Sequence, residues 1–110
     1  MNLDRVVKIL EDDTAAKFKV SGTSMTPRVK DGEYVTVRKL RADEDPRKGD
    51  IVLARVEGSL YLHLVSAIEK EKGRVKRVQI SNNHGHVNGW TPRDKVYALL
   101  VKLPARMEKK

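Results

Sequence analysis

Apolar residues in the first thirteen positions fall at Leu3, Val6, Val7 and Leu10, the i, i+3, i+4, i+7 spacing of one helical face. Residues 2–13 are therefore predicted to form an amphipathic helix, with Asn2 as its cap. Asp4, Arg5, Lys8, Glu11 and Asp12 fall mostly on the other sides of the wheel. So short a helix needs a surface to lie on. That surface is either its own domain or a second subunit, and the pattern does not choose, so a homodimer through this helix is a candidate assembly.

From Ala16 the period shortens. AKFKV alternates, which predicts a short strand. SGTSMTP has the glycine, small hydroxyls and proline of a turn. KDGEYVTVRKL reads as a turn at Asp31-Gly32 entering a strand through Tyr34, Val35 and Val37, and RADEDPRKGD as a charged loop around Pro46 and Gly49. IVLARV-EGS-LYLHLVSAIE has the form of a β-hairpin. Gly73 marks another turn, RVKRVQI alternates, SNNHGHVNGWTP is predicted to be a long polar loop, and KVYALLVKL a closing strand. Repeated short strands with one helix predict a mainly β, β-rich α+β fold. The expected division is one domain over 1–104, made of the helix at 1–14 and a β domain at 16–104, with a frayed basic tail at 105–110.

With 110 residues the chain suits one domain with a real core. It has no cysteine, which excludes disulfides and thiolate metal sites. The first residues contain acids and no apolar run, so no signal peptide or membrane anchor is expected. No stretch approaches the roughly 18–20 apolar residues of a membrane helix, and a soluble, cytoplasmic protein is expected. The net charge of +8 raises nucleic acid as a partner, whereas an aromatic content of 5% offers few stacking platforms. A solvated, highly charged surface accounts for the same composition.

Four residues carry candidate chemistry. Ser24 stands in Ser21-Gly22-Thr23-Ser24-Met25-Thr26-Pro27, in a loop following a strand, where catalytic groups often sit. By itself such a serine is an ordinary turn residue; a nucleophile also needs a base. His63 is the one residue in LYLHLV whose ordinary pKa lies near neutral pH, and alternation puts it with Tyr61 on the face opposite Leu62 and Leu64. Its ordinary pKa of about 6.5 suits a neutral-pH base. His84 and His86 form an HxH pair that with His63 could offer three imidazoles to a metal, although a solvated turn is the simpler account. Neither a metal nor another cofactor is expected. Trp90 reads as a loop anchor.

The succession SGTSM, KDGEYVTV, RKGDIVLAR and a hairpin strand bearing a base resembles the LexA/signal-peptidase superfamily of serine peptidases, from about Val20 to Leu103. The resemblance implies a β-barrel or ribbon fold with Ser24 as nucleophile. His63 would stand where many relatives have a lysine, as in the histidine-type signal peptidases of archaea and the endoplasmic reticulum. In those proteins an aspartate in a "GDNN…VDD"-like loop orients the histidine; the matching segment here, Ile80–Trp90, has Asn88 at that place. An asparagine can orient an imidazole but brings no charge. Asp94 is the nearby carboxylate that could substitute. The Ser24 backbone amide and the Ser21 or Thr23 hydroxyl would bind the oxyanion, and Met25 would line the groove for an extended peptide. The implied substrate is a peptide or protein with small side chains near the cleaved bond.

Only 23 residues precede Ser24, too few for a helix-turn-helix domain. The one small pair among them, Ala15-Ala16, is close to Ser24 for self-cleavage. Two non-catalytic readings stand beside the peptidase: an inactive peptide-binding or assembly module, for which the missing acid argues, and a basic nucleic-acid-binding domain.

Overall fold

A computed structural model of the protein describes residues 2–101. The expected tail at 105–110 lies outside them. Helix α1 (Leu3–Asp12) opens with the Asn2 side chain accepting from the Asp4 amide at 2.8 Å. Seven strands follow: β1 (Ala15–Lys19), β2 (Tyr34–Lys39), β3 (Ile51–Val56), β4 (Ser59–Glu71), β5 (Arg74–Ser81), β6 (Val87–Pro92) and β7 (Val96–Val101). All pair antiparallel in one sheet, in the order β1-β2-β7-β3-β4-β5-β6. The mainly β expectation holds.

Most elements lie where the pattern put them, and one does not. The expected long polar loop of SNNHGHVNGWTP contains strand β6, and a short 3₁₀ turn follows at Arg93–Lys95. VNGWT lacks a run of apolar residues, so its strand comes from pairing with β5, which supplies the ladder that local sequence does not advertise.

Two apolar clusters form the core. Val6 and Leu10 of α1 join Phe18, Met25, Val29, Val37, Leu53 and Leu62 in one. Val52, Val56, Val65, Val78, Ile80 and Val96 centre the other. The apolar face of α1 thus packs on this chain's own sheet, with Val6 and Leu10 buried.

The sheet must curl to make the site. β1 and β4 are four strand spacings apart, roughly 19 Å in a flat sheet. Yet the turn after β1 touches β4 directly, and Phe18 shares a core with Leu62. Sheet twist accumulates in this direction. At the other end β6 folds back onto β3, where a Cβ on Gly89 (φ +139°) would come within 3.2 Å of Val56. A side chain there would meet both strain and a neighbour.

Candidate active site

The segment after β1 is a tight turn tied from several sides. Val20 N–H donates to Glu33 O and Gly32 N–H to Val20 O, at 2.8 and 2.7 Å. Gly22, at φ +97°, donates its N–H to the Asp31 carboxylate at 2.8 Å. Thr26 N–H then donates to Thr23 O, and Val29 N–H to Met25 O. Met25 is 3% exposed and packs into the core, whereas Ser24 beside it is exposed. The buried methionine anchors the turn and the serine rides on its surface, as an accessible nucleophile requires.

Ser24 Oγ lies 3.0 Å from His63 Nε2. His63 Nδ1 lies 2.7 Å from Asn88 Oδ1. A carbonyl oxygen only accepts, so Nδ1 carries the proton and Nε2 is left to accept from the Ser24 hydroxyl. The three residues sought by resemblance thus meet in one chain of hydrogen bonds, drawn from the β1–β2 connection, β4 and β6. Asp94 is exposed in the 3₁₀ turn, and it is Asn88 that Nδ1 meets.

The aim of Asn88 has a local cause. In the β5–β6 ladder Ile80 pairs with Gly89 and Ser81 with Val87, so the register shifts at Asn88. Such a bulge takes one residue out of the pairing and re-aims its side chain. Asn88 uses this freedom to reach the imidazole two strands away.

His63 is 9% exposed and stacks on Tyr61, with ring centroids 5.0 Å apart. It is therefore not the half-exposed strand histidine that alternation alone would allow. Burial pushes its pKa below the ordinary 6.5; the Asn88 hydrogen bond pulls it back up, and the His86 imidazole lowers it further. The net direction keeps the imidazole neutral at neutral pH, ready to accept a proton.

A cleft of about 190 Å³ opens beside Ser24 and His63. Met25, Ser21 and Gly22 form part of its wall. Thr23 is not among the lining residues; its carbonyl accepts from the Thr26 hydroxyl at 2.9 Å and from His84 Nε2 at 3.0 Å. The remaining wall is largely apolar, from Leu3, Phe18, Val20, Leu60 and Leu62, with Lys19 at its edge. Leu3 and Lys19 were not singled out by sequence. The signal for Lys19 is its place one residue before the turn, whereas Leu3 reaches the cleft only because α1 docks there.

His84 and His86 diverge from the three-imidazole arrangement. His84 is committed to the Thr23 carbonyl, and among the described residues no group of three or more His, Cys, Asp or Glu side chains could hold a metal ion. Trp90, expected as a buried loop anchor, is 37% exposed with the Arg77 guanidinium 4.7 Å above its ring, because β6 is an edge strand. Among the described residues no helix is long and apolar enough to cross a membrane.

A family model described as Peptidase S24-like matches residues 3–88, a span that takes in α1, Ser24, His63 and Asn88. No curated protein matches the chain.

Proposed function

This chain belongs to the Peptidase S24-like family, and we propose that its peptidase-like domain hydrolyses peptide bonds with Ser24 as nucleophile and His63 as general base. The observation that carries this reading is the 3.0 Å approach of Ser24 Oγ to His63 Nε2. That is hydrogen-bond reach for the proton the base must take.

In the proposed reaction Ser24 Oγ attacks the carbonyl carbon of an extended peptide while its proton passes to Nε2. The tetrahedral oxyanion is met by the Ser24 backbone amide. The Nε2 proton then goes to the departing amine, leaving an acyl ester on Ser24. A water, deprotonated by the same nitrogen, hydrolyses that ester and restores the serine. Asn88 holds Nδ1–H throughout and so keeps Nε2 as the acceptor. It contributes a dipole to the transient imidazolium where a carboxylate would contribute a full charge. The cleft walls suit an apolar substrate side chain, and its volume compares with the roughly 150 Å³ that holds a benzene ring in an engineered apolar cavity.

The test is hydrolysis of casein and of a fluorogenic peptide library by the wild type and by Ser24→Ala. Wild-type cleavage is expected, and kcat should fall by ~10⁴–10⁶-fold in the variant. Cleavage that survives the substitution removes Ser24 from the mechanism.

Asn88 at the acid position favours a second reading, a peptide-binding module of the same fold. A wild type that cleaves nothing, while Ser24→Ala retains library peptides in the cleft, selects that reading.

A further inference from the structure

The loop after β5 grips the nucleophile turn from behind. Asn83 N–H donates to Ser24 O at 2.9 Å, and Asn83 Nδ2 donates to Thr26 O at 2.9 Å. His84 Nε2 reaches Thr23 O at 3.0 Å; a carbonyl can only accept, so this nitrogen bears the proton. Three carbonyls of the Ser24 turn therefore meet two consecutive residues that do not touch the Ser24 hydroxyl, Thr23 O accepting from the N–H and hydroxyl of Thr26 as well as from His84.

The gripping loop is itself rigid. Asn82 Oδ1 accepts from the amides of both His84 and His86, at 2.8 and 2.9 Å, and Asn82 N–H donates to His86 O at 2.9 Å. An asparagine side chain closing its own loop in this way pre-forms the turn without help from a core. The loop is thus a stiff part pressed against the nucleophile turn.

The direction of the grip matters for chemistry. In a planar trans peptide the C=O and the following N–H point opposite ways. Holding Thr23 O and Ser24 O toward the loop turns the amides of Ser24 and Met25 away from it. Those two amides are the donors closest in sequence to the nucleophile. We propose that Asn83 and His84 are positioning residues, a clasp that fixes the peptide planes on either side of Ser24 so that the Ser24 and Met25 N–H groups face the developing oxyanion. The oxyanion part of this assignment rests on the peptidase reading; the orientation of the amides does not.

Three variants of the full chain test it: Asn83→Ala, His84→Ala and His84→Gln, whose side-chain N–H can reach toward the same carbonyl. Two quantities are read, the hydrogen-exchange rate of the backbone amide at position 83, which donates to Ser24 O, by NMR, and kcat and KM on a fluorogenic peptide cleaved by the wild type. In His84→Ala this amide should exchange at least several-fold faster. There kcat should fall about 10- to 100-fold, less than loss of a whole oxyanion donor, with KM within about twofold. His84→Gln should recover most of both effects, and Asn83→Ala should repeat them. Unchanged exchange at position 83 overturns the clasp, as does an equal loss in His84→Gln and His84→Ala. If the wild type hydrolyses nothing, the peptidase reading falls by itself. Exchange then decides the clasp: faster exchange sustains it and unchanged exchange rejects it.

Discussion

Two polar clusters of this molecule handle charge in opposite ways. Around the 41–50 loop, charges are paired. Arg38 grips the Glu44 carboxylate through both of its terminal nitrogens, and Arg74 holds Asp45 at 2.9 and 3.1 Å. Arg93 ties the same loop through the carbonyls of Glu44 and Arg41. The Arg38 guanidinium takes the Glu44 pKa down to about 2, and Arg74 lowers that of Asp45. In the Ser24–His63–Asn88 chain, by contrast, burial drives the one titratable group toward its neutral form, and its partners carry no charge. The loop needs fixed charges to stay put at the surface. The base proposed at His63 needs a free, unprotonated lone pair, and burial beside uncharged partners favours that form.

The largest effect expected from breaking this contrast is at His63. His63→Ala removes the proposed base, and kcat should fall by ~10⁴–10⁶-fold, checked by steady-state hydrolysis beside the Ser24→Ala control. Folding measured by circular dichroism should be retained.

Giving the site the charge it lacks should work the other way. Asn88→Asp would stabilise the imidazolium by the difference between a charged and a neutral hydrogen bond, about 1.4 kcal/mol, or roughly tenfold in kcat. It should also raise the His63 pKa. In the wild type the pKa is lowered, so the neutral base persists below pH 6.5 and the acid limb of kcat/KM lies below that value. In Asn88→Asp the limb should move to higher pH. A limb that stays put, or a kcat that falls, would mean that Asn88 does not act through His63.

The smallest effect belongs to the loop. Glu44→Gln should lower stability by about 1 kcal/mol or less, as exposed ion pairs do, and leave kcat unchanged; thermal unfolding and hydrolysis read the two separately. The pH windows differ too. Both groups have a folded pKa below the ordinary value, so each contributes stability that is lost on acidification. The His63 contribution starts to fade as pH drops below about 6.5, whereas that of Glu44 holds until about 4.5 and fades toward about 2. Acid should therefore disturb the site before it loosens the loop. Amide spectra recorded from pH 7 to pH 3 would reveal the reverse order if the assignment is wrong.

How much of this could be read beforehand varies by element. The period of Leu3, Val6, Val7 and Leu10 marked α1, and the alternation in AKFKV and RVKRVQI marked β1 and β5, because one-sided burial writes itself into spacing. β6 was hidden, since a strand formed mainly by backbone pairing needs no alternation. Ser24, His63 and Asn88 were legible only through the order of motifs, as no spacing rule links residues 39 and 25 positions apart. The clasp was illegible: Asn82, Asn83, His84 and Gly85 look like turn chemistry, and so they are, but the turn they build also holds another one.

By itself the sequence determined, β6 apart, where the chain would be helical or extended, which faces would be apolar, and that it has neither thiols nor a long apolar span. These follow from local periodicity and composition, which any stretch carries whatever surrounds it. Tertiary structure alone decided that α1 packs inward and that His63 is buried. It also decided that a register shift aims Asn88 at the imidazole and that β1 curls over β4 to bring Ser24 within 3.0 Å of Nε2. Distances between residues far apart in the chain depend on how a whole sheet twists and closes, and that is a property of all seven strands together.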